Sequence, residues 1–254
     1  MLGTRLRYKS RPPHFSFCPA ESSTANIVMQ KKLLHSQIYR LRRLIYNIVT
    51  PVRNKIWRRQ CKYRDFTIIS QDCIGGIIYH RLKMKFLSPT INLLFLGANF
   101  CKLAEHPAFY FSHNAEAVDP AHSPYPECPT IRIVDIYAKC PHNPSAEDAA
   151  KCWNRRRTRA NLNHAVIIAN TWDLLGDAAL VGQLESVPLP KIIFAVNSKQ
   201  YHGDDFLYLG KKFRQTNIDQ PPRPLLKAGT FDNRVRLFEK EFRFYKLLAR
   251  KLRK

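Results

Sequence analysis

The stretch Asp65–Phe95, DFTIISQDCIGGIIYHRLKMKFLSPTINLLF, decides the fold class. Asp65–Ser70 is a short apolar, β-rich run and reads as a buried strand. Gln71–Gly76 (QDCIGG) reads as a turn, Ile77–Leu82 as a helix and Ile91–Leu96 (INLLFL) as a second strand. Strands alternating with helices imply crossover connections and a sheet that is largely parallel.

Working outward, the alternation continues. Asn99–His106 reads as a short helix, residues 112–129 as a loop, and Thr130–Tyr137 (TIRIVDIY) as a third strand. Ser145 caps a predicted helix running to about Ala160. Glu147 and Asp148 fall in its first turn and arginines 155–157 and 159 come late, an order that complements the helix dipole. His164–Ala169 is a fourth strand, Trp172–Leu184 a helix, Lys191–Val196 a fifth strand and Phe206–Leu209 a sixth. The expectation is a single α/β domain with a mostly parallel central sheet and flanking helices, plus a basic N-terminal helical extension. Residues 1–28 read as unstructured or as a start called too early, with Met29 the true start. Residues 29–64 form the extension, 65–232 the core domain and 233–254 a basic amphipathic helix.

Charge separates these parts. Of 42 Lys and Arg against 19 Asp and Glu, eleven basic residues and no acid fall in 30–64, whereas 65–233 is near neutral. Leu34, Ile38, Leu41, Ile45 and Ile48 recur at helical spacing in the basic stretch, and Val235, Phe238, Phe242, Tyr245 and Leu248 do so near the C-terminus. Each stripe would either pack on the protein's own sheet or lie on an anionic membrane surface. No recognised nucleic-acid motif accompanies the charge, so nucleic acid is a poor candidate partner. No apolar run approaches the ~18–20 residues that span a bilayer. Seven cysteines without a CxxC pair, and no secretory signal pattern, point to free thiols in a reducing, cytoplasmic compartment.

Two blocks resemble a bacterial family numbered as domain of unknown function nineteen-nineteen, whose members are often labelled exopolysaccharide biosynthesis proteins. In the first, Cys73, Gly75, Gly76, Tyr79, Ser88, Pro89 and Asn92 match, while Gln71, Asp72 and Ile74 depart from the commonest residues. In the second, Asp135, His142, Trp153, Arg156, Arg159 and Asn161 fit, with Asn143 and Ala160 as departures. The resemblance covers about residues 62–210 and implies a single α/β domain linked to surface-polysaccharide synthesis.

The residues suggest chemistry. Cys73, before a helix N-terminus, would be a nucleophile of lowered pKa, with His142 as its base and Asp135 orienting that histidine. Gly75 and Gly76 would let backbone N–H groups approach a phosphate, and Arg156 and Arg159 would grip it. The ligand would be a sugar nucleotide or a phosphorylated carrier. Asp173, Asp204 and Asp205 are further carboxylates without fixed geometry. Cys128, Cys140, His142 and Cys152 lack the spacing of a closed zinc site, so no metal is expected. These features suggest a transferase of surface-polysaccharide assembly that uses an activated sugar, acyl or phosphoryl donor at the cytoplasmic membrane face. The alternative is a non-catalytic accessory or scaffold protein that binds polysaccharide-synthesis enzymes.

Overall fold

The computed structural model describes residues 48–61, 65–195, 203–208 and 238–253 and the single positions 37, 40, 41, 44, 45 and 201. The chain divides into two units, Met1–Val49 and Thr50–Lys254. In the first, every described position is helical. The expectations for residues 1–28 and for the start of the basic helix lie outside the described residues.

The second unit begins with a helix over residues 50–60 (α1). Then follow β1 (Thr67–Ser70), α2 (Ile74–Leu82), α3 (Ala98–Glu105), α4 (Pro107–Ser112), β2 (Glu116–Val118), β3 (Thr130–Ile133) and β4 (Ile136–Lys139). The chain continues with α5 (Ala146–Arg157), β5 (Ala165–Asn170), α6 (Ala178–Ser186), β6 (Lys191–Ala195), β7 (Phe206–Tyr208) and α7 (Phe238–Lys251). Four strands make a parallel sheet in the order β1-β5-β6-β7, and three make an antiparallel sheet in the order β2-β3-β4. The expected α/β class with a parallel sheet flanked by helices is what the structure shows.

Successive strand residues point to opposite faces of a sheet, so a strand buried on both sides is apolar throughout. Ile68, Ile168, Ile192 and Phe194 pack with Trp57 of α1, Ile78, Tyr79 and Leu82 of α2, and Phe244, Tyr245 and Leu248 of α7. Ile69, Ile167, Ile193 and Ala195 pack with Phe100 and Leu103 of α3, Trp153 of α5, and Val181 and Leu184 of α6. The C-terminal helix is therefore a core element. The rings of Trp57 and Tyr245 stack at 3.7 Å, Phe244 stacks on Phe194, and Lys251 pairs with Asp205.

Because β1 is an edge strand, its outward N–H and C=O groups lack a neighbouring strand. Side-chain hydroxyls take that place. The Tyr79 hydroxyl accepts from Ile68 N at 2.9 Å and donates to Phe66 O at 3.0 Å. Thr90 Oγ1 accepts from Ser70 N at 3.1 Å and donates to Ile68 O at 3.3 Å. The family-like Tyr79 and the Ser88-Pro89-Thr90 turn thus close a sheet edge.

Four expected elements differ, the first being the loop expected over 112–129, which holds β2. Ile91–Leu96 is a connecting segment, because Asn92 adopts φ 67° and breaks the extended run. Only Leu94 forms a bridge, antiparallel to Lys139, while Phe95 N donates to Gln71 O, so this segment links the two sheets. Thr130–Tyr137 is a hairpin, since Val134 at φ 57° turns the chain between β3 and β4. The helix expected from Trp172 starts at Ala178, after a turn in which Leu175 and Gly176 have positive φ and Asp177 caps the helix.

Two measurements check this packing. Tyr79→Phe leaves the Ile68 N–H and Phe66 C=O unpaired in the core, and denaturant unfolding should show a loss of about 1–3 kcal/mol. A Cβ on Gly75 would meet Ser70 Oγ at 2.5 Å and Ile91 Cδ1 at 3.1 Å, whereas one on Gly182 meets nothing within 4 Å. Both lie in helices, where alanine gains roughly 1 kcal/mol. Gly182→Ala should therefore stabilise by up to about 1 kcal/mol, and Gly75→Ala should destabilise on balance because overpacking costs about 1–3 kcal/mol.

Candidate functional site

The carboxyl ends of β1 and β5 lie side by side, and the residues that leave them form one polar cluster. Gln71 N still donates to Ile168 O, so the backbone ladder continues one residue past β1. The Gln71 side chain then carries it further, its Oε1 accepting from Asn170 N at 2.9 Å. Asp72 Oδ1 accepts from Ile74 N at 2.9 Å, which caps α2 with a carboxylate. Asn170 Nδ2 donates to Asp72 Oδ2 at 3.2 Å and to Asp173 Oδ2 at 2.6 Å. Asn170 Oδ1 in turn accepts from Asp173 N at 2.7 Å. One amide thus holds two carboxyl groups together. Gly97 N donates to Asp173 O, which fixes the loop from the other side.

Asn170 and Gln71 are buried, while Asp72, Cys73 and Asp173 reach the surface. The fixed Asn170 N–H partner identifies the other end of Gln71 as its amide nitrogen. That Nε2 is buried and has no hydrogen-bond partner among the described residues. An orphaned buried donor costs about 1–3 kcal/mol.

Desolvation raises the Asp72 carboxyl above its ordinary range despite the Ile74 and Asn170 hydrogen bonds. Desolvation, then the charge of Asp72, pushes Asp173 up to about 7. Burial and mutual repulsion thus disfavour ionising both carboxyls at once. Desolvation and the same two carboxyls push the Cys73 thiol up to about 12. This reverses the expected activation: burial, then the charges of Asp72 and Asp173, keep the thiol protonated despite its place at the α2 N-terminus.

The other expected site residues lie in different surroundings. Gly75 and Gly76 fall within the first turn of α2, buried against Ser70, Ile91 and Asn92. They allow close packing of helix on strand, and leave no room for a phosphate at their Cα atoms. Asp135 sits in the β3–β4 turn, where Lys102 Nζ at 2.8 Å and the Tyr110 hydroxyl at 2.9 Å take its two oxygens and lower its pKa. His142 is exposed beyond the other end of β4, so Asp135 does not orient it. Moreover, β4 runs antiparallel to the segment from Leu94 to Gly97, which leads to Asp173. The chain after Lys139 therefore heads away from the carboxyl cluster.

The late arginines of α5 act as struts. Arg156 is buried, donates to Ile91 O at 3.0 Å and lies 5.3 Å from the Phe86 ring. Arg157 donates to Phe111 O and Ser112 O, and Trp153 Nε1 to His113 O. Arg159 is half-buried just past the helix end, its N–H bonded to Arg156 O. A cavity of about 720 Å³ lies elsewhere, between β2, the 126–130 loop and the first turn of α5. Among the described residues no group of three His, Cys, Asp or Glu side chains is placed to hold a metal ion.

Sequence reading passed over Gln71, Asp72 and Asn170 as site residues and placed Asp173 only as an unlocated carboxylate. Their common signal is position: each falls at the carboxyl end of a parallel strand or just beyond it, where open α/β sheets bind ligands.

The raised Asp173 pKa has a consequence for stability. Between 3.8 and about 7 the folded protein keeps a proton that the unfolded chain has released. Stability from this group is full below the lower value and falls as pH rises through the upper one. Asp173→Asn should flatten that fall, matching wild type near the lower value and melting roughly 2–4 °C higher above the upper one. Calorimetry across this range checks it.

The family model described as "Domain of unknown function (DUF1919)" matches residues 45–222. A relative in Haemophilus influenzae, described as an uncharacterized protein, is 25% identical over 165 residues, covering 65% of this chain and 77% of its own length. The matched region includes both sheets and all four residues of the carboxyl cluster, and by that match the chain belongs to the DUF1919 family.

Proposed function

We propose that the protein is a transferase of surface-polysaccharide assembly, moving an activated sugar, acyl or phosphoryl group onto a carbohydrate hydroxyl. The observation that carries the reading is the carboxyl pair of Asp72 and Asp173 on the Asn170 amide, with Asp173 at about 7. A base of that pKa is matched to proton transfer at neutral pH. In this reading the Asp173 carboxylate takes the proton of the acceptor hydroxyl as its oxygen bonds to the donor's electrophilic atom, and the leaving group departs with the bonding pair.

The negative charge of the pair assigns the cluster to the acceptor, since donor phosphates would be repelled there. The family-like blocks support the link to polysaccharide synthesis. The six described cysteines are free thiols, which fits a cytoplasmic site of action. Its partners would be the other enzymes of that assembly.

The test is a thermal-shift screen of the full chain against uridine-diphosphate sugars, acetyl-coenzyme A and polyprenyl phosphate, followed by turnover with carbohydrate acceptors. At least one donor should raise the melting temperature. Asp173→Asn should keep that rise and lose about 10²–10⁴-fold in turnover, while wild-type kcat/KM rises with pH through about 7. No shift with any donor would contradict the transferase and favour the accessory protein.

A further inference from the structure

We propose that the helix of the first unit docks flat on an anionic lipid bilayer. The inference rests on this helix alone and is independent of the transfer chemistry. Leu41, Leu44, Ile45, Ile48 and Val49 are between 40% and 66% exposed, although five large aliphatic side chains at helical spacing ordinarily mark a packed face. At ~100° per residue they occupy an arc of roughly 140°. Arg40 is exposed and falls outside the arc. In the second unit, Val52 and Ile56 of α1 are also exposed, at 61% and 44%.

Charge decides the occupant. Within the first unit, residues 30–49 hold five basic residues and no acid. A second copy of this helix would bring the same positive charge against it. Nucleic acid would reward the arginines and leave the aliphatic face in water. A bilayer with anionic headgroups satisfies both, taking the aliphatic arc ~5–10 Å into the headgroup–acyl boundary while the basic residues stay among the phosphates. No helix among the described residues is long and apolar enough to cross a membrane, so attachment is along the surface.

Co-sedimentation of the full chain with vesicles tests this. The wild type should pellet with phosphatidylglycerol-containing vesicles in about 0.1 M salt, be released in about 1 M salt, and stay in solution with pure phosphatidylcholine. Leu44→Ser/Ile48→Ser replaces two exposed side chains, and its fold is checked by circular dichroism. This variant should bind at least about tenfold more weakly. Equal binding to both lipids, no binding to either, or unchanged binding by the double variant would overturn the proposal. So would a lipid-free dimer in sedimentation velocity that the double variant dissociates.

Discussion

The closure of the β1 edge by two hydroxyls is the constraint on which the rest depends. A parallel strand at a sheet edge presents alternate N–H and C=O groups that nothing in its own ladder can satisfy. Tyr79, reaching back from α2, and Thr90, held in the turn after Pro89, pair those groups at Phe66, Ile68 and Ser70. This requires α2 to lie close on β1, which is why Gly75 stands where a Cβ would strike Ser70. It also sets where β1 ends, and with it the positions of Gln71, Asp72 and Cys73.

The carboxyl cluster follows from that placement. With β1 and β5 in register, Gln71 faces Asn170, and the Asn170 amide is left pointing at carboxyls from both loops. The arrangement resembles other acidic dyads in its logic: proximity and partial burial make double ionisation costly, so a proton is retained near neutral pH. An asparagine in place of Asp72 would keep hydrogen-bonding capacity and lose the charge that raises Asp173 and Cys73.

The alternation of buried strands and helices was legible because β1, β5 and β6 are apolar on both faces and α5 carries its own cap at Ser145. The hairpin at Val134 was not, since a β-branched residue at positive φ leaves no composition signal, and the break at Asn92 rests on one asparagine inside an apolar run. The arginines of α5 could be read from sequence as an anion grip or as a solvated face. Here Arg156 and Arg157 instead pair with carbonyls at Ile91, Phe111 and Ser112, a long-range role that no local pattern announces. The shared Asp72–Asn170–Asp173 cluster joins residues about a hundred positions apart, and only the β1–β5 register reveals it.

The central claim is that burial and mutual repulsion make double ionisation of Asp72 and Asp173 costly at neutral pH. Carboxyl ¹³C chemical shifts of the labelled full chain, followed from acid to alkaline pH, measure this directly. The account predicts one aspartate step near 7 that reports on both side chains and vanishes as a coupled step when Asn replaces Asp173. Two independent steps close to the ordinary 3.8 would contradict it.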